Sequence, residues 1–297
     1  MQKEGFKILK NGEIVPNIYE LTVEAPLIAK KAKPGNFVLI MKEENSERIP
    51  MTLSNWDASK GTITIYYQER GYSTKELTEL LDGDYIYSVV GPLGNAIAIK
   101  KFGTVLLGGG CYGIGAIYPI AKEAKLKGNK IIVILEARNK ILFYLQKEFE
   151  ALADKVIYYT SDGSKGFKGK IEDAIEHVLK EGTKIDWCYF IGCKQMMRNA
   201  SNATKEFGSI PTYVSLSTTM IDGTGMCGGC RLTLLENGKE IIKFACVDGP
   251  TFNGHLVNWD ELIDRGIQFE LPEVFIYQNH FCKILERYKP ENSEFRE

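Results

Sequence analysis

Hydrophobic and polar positions keep two different rhythms along this chain. Up to residue 98, short apolar runs recur at Phe6–Leu9, Tyr19–Val23, Phe37–Met41, Thr62–Tyr67 and Tyr85–Val90. Asn11-Gly12, Pro34-Gly35, Lys60-Gly61 and Asp82-Gly83 mark turns between them. Short strands punctuated this way predict a small antiparallel barrel. One helix interrupts it over Ser73–Leu81, with Ser73 or Thr74 as its cap. After Gly91-Pro92-Leu93-Gly94 the rhythm changes. Apolar strands at Thr104–Leu107, Ile131–Leu135, Val156–Thr160 and Trp187–Ile191 alternate with helical patterns near Gly113–Lys127, Asn139–Leu152, Phe167–Leu179 and Gln195–Phe207. That alternation predicts a parallel sheet with crossover helices. The fold class is therefore β followed by α/β. Residues 1–98 form the antiparallel barrel, 99–214 the parallel sheet, 215–250 a small Gly/Cys segment and 251–297 a polar, aromatic extension.

Composition narrows the class without naming a chemistry. The chain has 297 residues, 44% hydrophobic and 25% charged, which is globular rather than disordered. A net charge of −1 gives no sign of nucleic acid or an acidic membrane surface as partner. No apolar run is long enough to span a bilayer, and MQKEGFKILKNGE lacks the apolar core of a signal peptide, so the expected location is the cytoplasm. His177, His255 and His280 form no pair at metal-ligand spacing and read as surface or capping residues.

Three of the seven cysteines, Cys227, Cys230 and Cys246, fall within Met220–Gly249. An odd, glycine-flanked set favours metal or redox chemistry over a disulfide framework. A plant-type two-iron cluster uses C-x4-C-x2-C and a distant fourth Cys. Here Asp222 stands five residues before Cys227, so the segment reads D-x4-C-x2-C-x15-C. It is expected to hold a [2Fe-2S] cluster with one carboxylate ligand. Structural zinc is the competing use, but it favours all-cysteine or cysteine–histidine sets.

Gly108-Gly109-Gly110-Cys111-Tyr112-Gly113 follows one strand and opens a helix. Such a turn admits a ligand close to the backbone and offers a helix N-terminus to phosphate; it is equally a tight strand-to-helix connection. Glu136 is the candidate ribose acid and Arg138 a candidate for a 2′-phosphate, leaving NAD and NADP open. Thr160-Ser161-Asp162-Gly163 and Gly192-Cys193-Lys194-Gln195-Met196-Met197 sit at other strand ends, where open sheets bind ligands. Cys193 is placed either beside a nicotinamide or as a small buried residue; Cys188 reads as the latter. In the barrel, Arg48-Ile49-Pro50-Met51-Thr52 and Gln68-Glu69-Arg70-Gly71-Tyr72-Ser73-Thr74 offer a cation, hydroxyls and a helix start, which suit a pyrophosphate.

This order of motifs resembles one group of the ferredoxin–NADP reductase superfamily. It contains the electron-transfer subunits of dihydroorotate dehydrogenase, with four cysteines, and the small subunits of NADH-dependent reduced ferredoxin:NADP oxidoreductases, also known as sulfide dehydrogenase subunits. The second branch carries V/I-D-G-T-G-M-C-G-x-C and F-A-C-V-D-G-P. They stand here as Ile221–Cys230 and Phe244–Pro250, and the resemblance spans roughly residues 5 to 270. Arg48–Thr52, Val89–Gly94 and Ile117–Lys122 look like that branch too. The glycine-rich turn departs from it by one extra residue.

The resemblance implies FAD on the barrel near Arg48, Pro50, Met51, Thr52, Gly71, Ser73 and Thr74, with Gln68 beside them. It implies NAD(H), with NADP(H) as the other candidate, against Gly109, Gly110, Gly113, Asp162 and Met196, with Gly192 and Cys193 close by. It implies cluster ligation by Asp222, Cys227, Cys230 and Cys246. The expected function is electron transfer between NAD(H), FAD and the cluster within a flavin-based electron-bifurcating oxidoreductase. The partner would be a larger flavin and iron–sulfur subunit, with ferredoxin reached indirectly. No side chain is assigned as catalytic acid or base. The alternatives are a dihydroorotate dehydrogenase-like electron-transfer subunit and a non-redox zinc module. The extension 251–297 is expected to touch the partner.

Overall fold

The structure is a computed structural model that describes residues 5–267. The expected tail contact and His280 therefore lie largely outside the described residues. The N-terminal part runs β1 (Phe6–Val15), β2 (Ile18–Glu24), α1 (Pro26–Lys31), β3 (Phe37–Met41), β4 (Ile49–Thr52), β5 (Asn55–Asp57), β6 (Thr62–Gln68), α2 (Tyr72–Thr78), β7 (Tyr85–Ile86) and β8 (Ser88–Leu93). Two antiparallel sheets, ordered β5-β6-β2-β1-β7 and β4-β3-β8, enclose one core. Strand β6 shows why: Ile63, Ile65 and Tyr67 alternate inward while Thr62, Thr64 and Tyr66 face out. Ile8, Leu21, Val38, Leu53, Ile63 and Ile65 are fully buried there, each contributing roughly 1.5–3 kcal/mol.

The middle part runs β9 (Thr104–Gly110), α3 (Gly113–Leu126), β10 (Lys130–Ala137), α4 (Gln146–Leu152), β11 (Lys155–Thr160), β12 (Phe167–Lys168), α5 (Ile171–Lys180), β13 (Trp187–Ile191), α6 (Lys194–Glu206) and β14 (Thr212–Ser215). Strands β9, β10 and β13 are buried on both faces, the pattern of a sheet covered on two sides. One side packs on α3 and α4, the other on α5 and α6. The sheet order is β12-β11-β10-β9-β13-β14, with a strand from the last part of the chain added beyond β14. The chain winds outward from β9 through β12, then returns to β13 on the other side of β9. This reversal opens a crevice at the carboxyl ends of β9 and β13.

The last part is β15 (Arg231–Glu236), β16 (Lys239–Phe244), β17 (Thr251–Asn253) and α7 (Trp259–Ile267). Strand β17 joins the large sheet antiparallel to β14, so the Gly/Cys segment is stitched back to the sheet at both ends. Asn95 fastens it to the barrel as well. Its amide donates to the Gly249 carbonyl at 2.6 Å and its side chain to the Val247 carbonyl at 2.8 Å.

Local departures from the sequence pattern have physical causes. Helix α2 starts at Tyr72 with Gly71 as its cap, and Thr74 occupies the third helical position. The Thr74 hydroxyl accepts the Arg70 and Gly71 amides, so it closes the helix start from inside. The pattern Asn139–Leu152 yields only a single 3-10 turn and α4, because Leu145 takes φ 54° between them. Phe167 pairs with Tyr159 in the sheet instead of starting a helix. Tyr85–Val90 divides between the two barrel sheets at Tyr87.

Candidate functional site

A small cavity, partly open to solvent, lies where the three parts of the chain meet. The barrel contributes Phe37, Pro50 and Thr52; the large sheet contributes Tyr112, Ile191 and Ser215; Leu216, Ser217, Met220 and Pro250 close it. Pleating explains the barrel wall. Pro50 and Thr52 face the cavity, whereas Met51 between them is buried in the barrel core. An apolar wall with hydroxyls placed among it suits a flat heteroaromatic group.

Arg48 is exposed just before β4. Gln68 ends β6, and Gly71 caps α2. Ser73 donates to Glu47 at 2.9 Å, and Thr74 is engaged in its own helix start. The Ser73–Glu47 hydrogen bond brings the start of α2 beside the segment that leads into β4.

At the sheet crevice, Gly109 and Gly110 end β9, Gly113 opens α3, and Gly192, Cys193 and Met196 follow β13. Protein packing alone accounts for several of these glycines. A Cβ on Gly113 would lie 2.0 Å from the Ile191 carbonyl oxygen, and Cβ atoms on Gly110 and Gly192 would lie 2.8 and 2.3 Å from the Met196 sulfur. Tyr112 Oη donates to the Gly192 carbonyl at 3.1 Å, tying the two loops together. Cys193 caps α6, its sulfur accepting the Met196 amide.

Glu136 and Arg138 follow on β10 and the turn after it. Glu136 Oε2 is buried without a hydrogen-bond partner. Burial pushes its carboxyl up to about 7, and the neighbouring Glu172 and Asp173 add to the rise against Lys170. This unpartnered oxygen stands at the end of β10, in register with Gly110 at the end of β9. Asp162 lies nearby, its amide donating to the Arg138 carbonyl at 3.2 Å. Its side chain is exposed and caps the Ser164 amide.

The four expected ligands come from two loops brought together by a hairpin. Asn237 and Gly238, with φ of 51° and 75°, form the tight turn between β15 and β16. The hairpin register pairs Arg231 with Phe244, setting Cys230 and Cys246 side by side. Their sulfurs lie 3.1 Å apart and both residues are buried. Burial and each other's proximity hold the Cys246 thiol well above the usual range. Two such thiols ionise together only around a cationic centre, which is what iron supplies.

Asp222 and Cys227 lie on the preceding loop. Asp222 Oδ1 accepts the Thr224 amide at 2.8 Å, and Oδ2 accepts the Cys227 amide at 2.6 Å. These amides hold the Asp222 carboxyl below its usual range. The Cys227 thiol is exposed and within hydrogen-bonding reach of Asp222, whose charge is also felt at Cys246. The thiolates and carboxylate suit a two-iron centre, although among the described residues no three such side chains close on one point.

Comparison with known proteins fits this arrangement. Residues 217–258 match the model of the iron–sulfur cluster binding domain of dihydroorotate dehydrogenase B. The chain is 32% identical over 259 residues to the NAD(+)-type dihydroorotate dehydrogenase B electron transfer subunit of Bacillus cereus, covering 85% of this chain and 97% of that protein. The chain belongs to the family of these electron transfer subunits.

Another family member, the electron transfer subunit homolog of Thermotoga maritima, is 42% identical over 92% of this chain and 94% of its own length. A chain from a solved NADH-dependent reduced ferredoxin-NADP oxidoreductase, described in terms of flavin-based electron bifurcation, is 39% identical. It superposes with a TM-score of 0.85 over 95% of this chain and 100% of its own. The ferredoxin reductase of carbazole 1,9a-dioxygenase, 15% identical with a TM-score of 0.60 over 69% of this chain and 64% of its own, shares the fold alone. As a member of the dihydroorotate dehydrogenase B electron transfer family, the chain is an electron-transferring oxidoreductase subunit. No helix among the described residues is long and apolar enough to cross a membrane.

The sequence motifs missed much of the cavity lining. Phe37, Tyr112, Ser215, Leu216, Ser217, Met220 and Pro250 come from separate segments. Tyr112 and Pro250 fall inside the glycine-rich turn and the Phe244–Pro250 motif, and Ser215–Met220 lies between the sheet and the cysteines, but nothing in the sequence joins them to Phe37.

Proposed function

We propose that this chain is the small subunit of a flavin-based electron-bifurcating oxidoreductase linking NAD(H), ferredoxin and NADP. The observation that carries the reading is Asp222, engaged with the Cys227 amide at the position where the four-cysteine relatives place a thiolate. The chain carries FAD, a [2Fe-2S] cluster and NAD(H), and works beside a larger catalytic subunit. Bound flavin supplies the conversion between two-electron hydride chemistry and one-electron transfer.

The chain's own residues do the positioning. Phe37, Pro50 and Thr52 form the barrel wall of the flavin cavity, and Tyr112 and Ile191 face them from the nucleotide sheet. Arg48, Gln68, Gly71, Ser73 and Thr74 gather at the diphosphate end. Gly109, Gly110, Gly113, Glu136, Arg138, Asp162, Gly192, Cys193 and Met196 surround the nicotinamide nucleotide. Asp222, Cys227, Cys230 and Cys246 hold the cluster. Gly223 packs against Leu39 and Leu93, which keeps this loop on the barrel near the cavity. The six free cysteines of the described residues support a reducing compartment, the cytoplasm.

The names of the relatives favour a second reading, a subunit serving a dihydroorotate dehydrogenase. Anaerobic purification from the native cell, with partner identification, separates the two. Recovery of a flavin and iron–sulfur subunit active in NADH- and ferredoxin-coupled NADP turnover supports bifurcation. Recovery of a dihydroorotate-oxidising subunit replaces it. Zinc without iron in the purified chain would sink both.

A further inference from the structure

Two cysteines outside the cluster lie on the two neighbouring loops at the sheet crevice. Cys111 lies in the turn after β9, and Cys193 lies directly after Gly192 at the end of β13. These strands are parallel neighbours whose register pairs Gly109 with Ile191. Cys111 turns out of the sheet at φ 52° one residue after Gly110, and Cys193 starts α6 one residue after Gly192, so the two loops leave neighbouring strand ends together. The Tyr112–Gly192 hydrogen bond and the close approach of Gly113 to Ile191 hold the two loops in this relation. Both cysteines are unpaired and exposed. Surrounding protein pushes the Cys111 thiol up to about 11, and the nearby Cys193 adds to the rise. By contrast, Cys188 is fully buried, and Cys227, Cys230 and Cys246 belong to the cluster loops.

We propose that Cys111 and Cys193 are a modification site, a dithiol that closes to a disulfide across the crevice and weakens nicotinamide nucleotide binding. The effect on nucleotide rests on the reading that NAD(H) binds between β9 and β13. The oxidant is a low-molecular-weight disulfide, R–S–S–R. The Cys193 sulfur attacks one sulfur of the reagent, forming a mixed disulfide and releasing one R–SH. The Cys111 sulfur then attacks the Cys193 sulfur, releasing the second R–SH. Two protein thiols lose two hydrogens, the reagent gains them, and its S–S bond is replaced by one in the protein. The bridge pins the turn between Gly110 and Gly113 to the loop at Gly192, where a nucleotide needs the backbone open.

The test uses the holoprotein with flavin and cluster bound. It is equilibrated with glutathione disulfide, then alkylated, digested and analysed by mass spectrometry. A dithiothreitol-reversible peptide joining Cys111 to Cys193 is expected, and it is absent in Cys111→Ser. The dissociation constant for NADH, measured by titration of the same samples, should rise on the order of tenfold on oxidation. The treatment should leave the affinity of Cys111→Ser where it was in the reduced state. Stable glutathione adducts on Cys193 without the joined peptide would overturn the proposal. So would a joined peptide with unchanged NADH affinity. If the reduced protein binds no NADH, the nucleotide reading fails, and the joined peptide alone decides the disulfide.

Discussion

The Asp222 carboxylate grips the amide of Cys227 at 2.6 Å, so the residue proposed as a cluster ligand also shapes the loop that carries the next one. Its second oxygen holds Thr224 at 2.8 Å. Each oxygen keeps a further lone pair for a metal.

Asp222→Ala removes both acceptors and the carboxylate ligand. Losing these hydrogen bonds loosens the loop that carries Cys227. Iron content after anaerobic reconstitution should fall below half of the wild-type value, on the order of a 10- to 100-fold loss in cluster affinity. Asp222→Cys should keep iron and shift the visible and EPR spectra toward a four-thiolate cluster. Full iron and an unaltered EPR signal in Asp222→Ala would remove Asp222 from the ligand set, and with it the argument for the bifurcating branch.

Cys227→Ser and Cys188→Ser form a paired test. Cys227 is exposed on the cluster loop, whereas Cys188 is fully buried in β13. Replacing Cys227 should abolish the two-iron spectrum while the urea midpoint of the apoprotein stays close to wild type. Replacing Cys188 should keep the spectrum and cost about 1–2 kcal/mol, because a hydroxyl replaces an apolar sulfur in the core. Equal cluster loss in both variants would mean that the spectrum reports folding rather than ligation.

Regular patterns were legible wherever one force dominates. The alternation of β6 and the doubly buried β9, β10 and β13 follow from apolar positions alone. The cysteine spacing exposed the cluster segment because thiolate ligands have no bland substitute at that density. Tertiary demands hid the rest. Tyr144 breaks an otherwise helical stretch because its hydroxyl accepts the Gly115 amide at 2.9 Å and donates to the Cys111 carbonyl at 3.0 Å. Asn237-Gly238, not singled out by the sequence pattern, is the hairpin turn that brings Cys230 to Cys246. The cavity between barrel and sheet escaped because Phe37, Tyr112 and Pro250 are brought together only by long-range packing.

Gly115 is where the barrel rests on α3. A Cβ there would lie 2.2 Å from the Tyr66 ring, and Tyr66 in turn packs against Tyr144 with ring centroids 5.2 Å apart, tilted by 48°. Gly115→Val should therefore destabilise the chain by about 1–3 kcal/mol through overpacking. It should also weaken FAD retention, since the wedge opens the junction that shapes the cavity. Urea unfolding and flavin content after gel filtration check both. A stable variant that keeps its flavin would show that barrel and sheet meet more loosely than this contact implies.

Glu136 gives a pH dependence whose sign follows from its surroundings. Its carboxyl is pushed up from 4.5 to about 7, first by burial and then by Glu172. Below about pH 4.5 the group is protonated whether the chain is folded or not, and it imposes no penalty. Between 4.5 and 7 the unfolded chain ionises while the folded chain holds its proton, so stability falls as pH rises. Above 7 both are ionised and the full penalty stands. A rise of this size corresponds to roughly 3 kcal/mol, which relaxation of the neighbouring groups reduces to roughly 1–3 kcal/mol. Glu136→Gln removes the ionisation and places an amide near Glu172, whose Oε2 also lacks a partner. In the absence of nucleotide, the variant should be more stable than wild type at pH 8, by a margin that shrinks steadily toward pH 5. Thermal unfolding at a series of pH values measures it, and a margin that is constant or grows on acidification would show that Glu136 keeps an ordinary carboxyl in the fold.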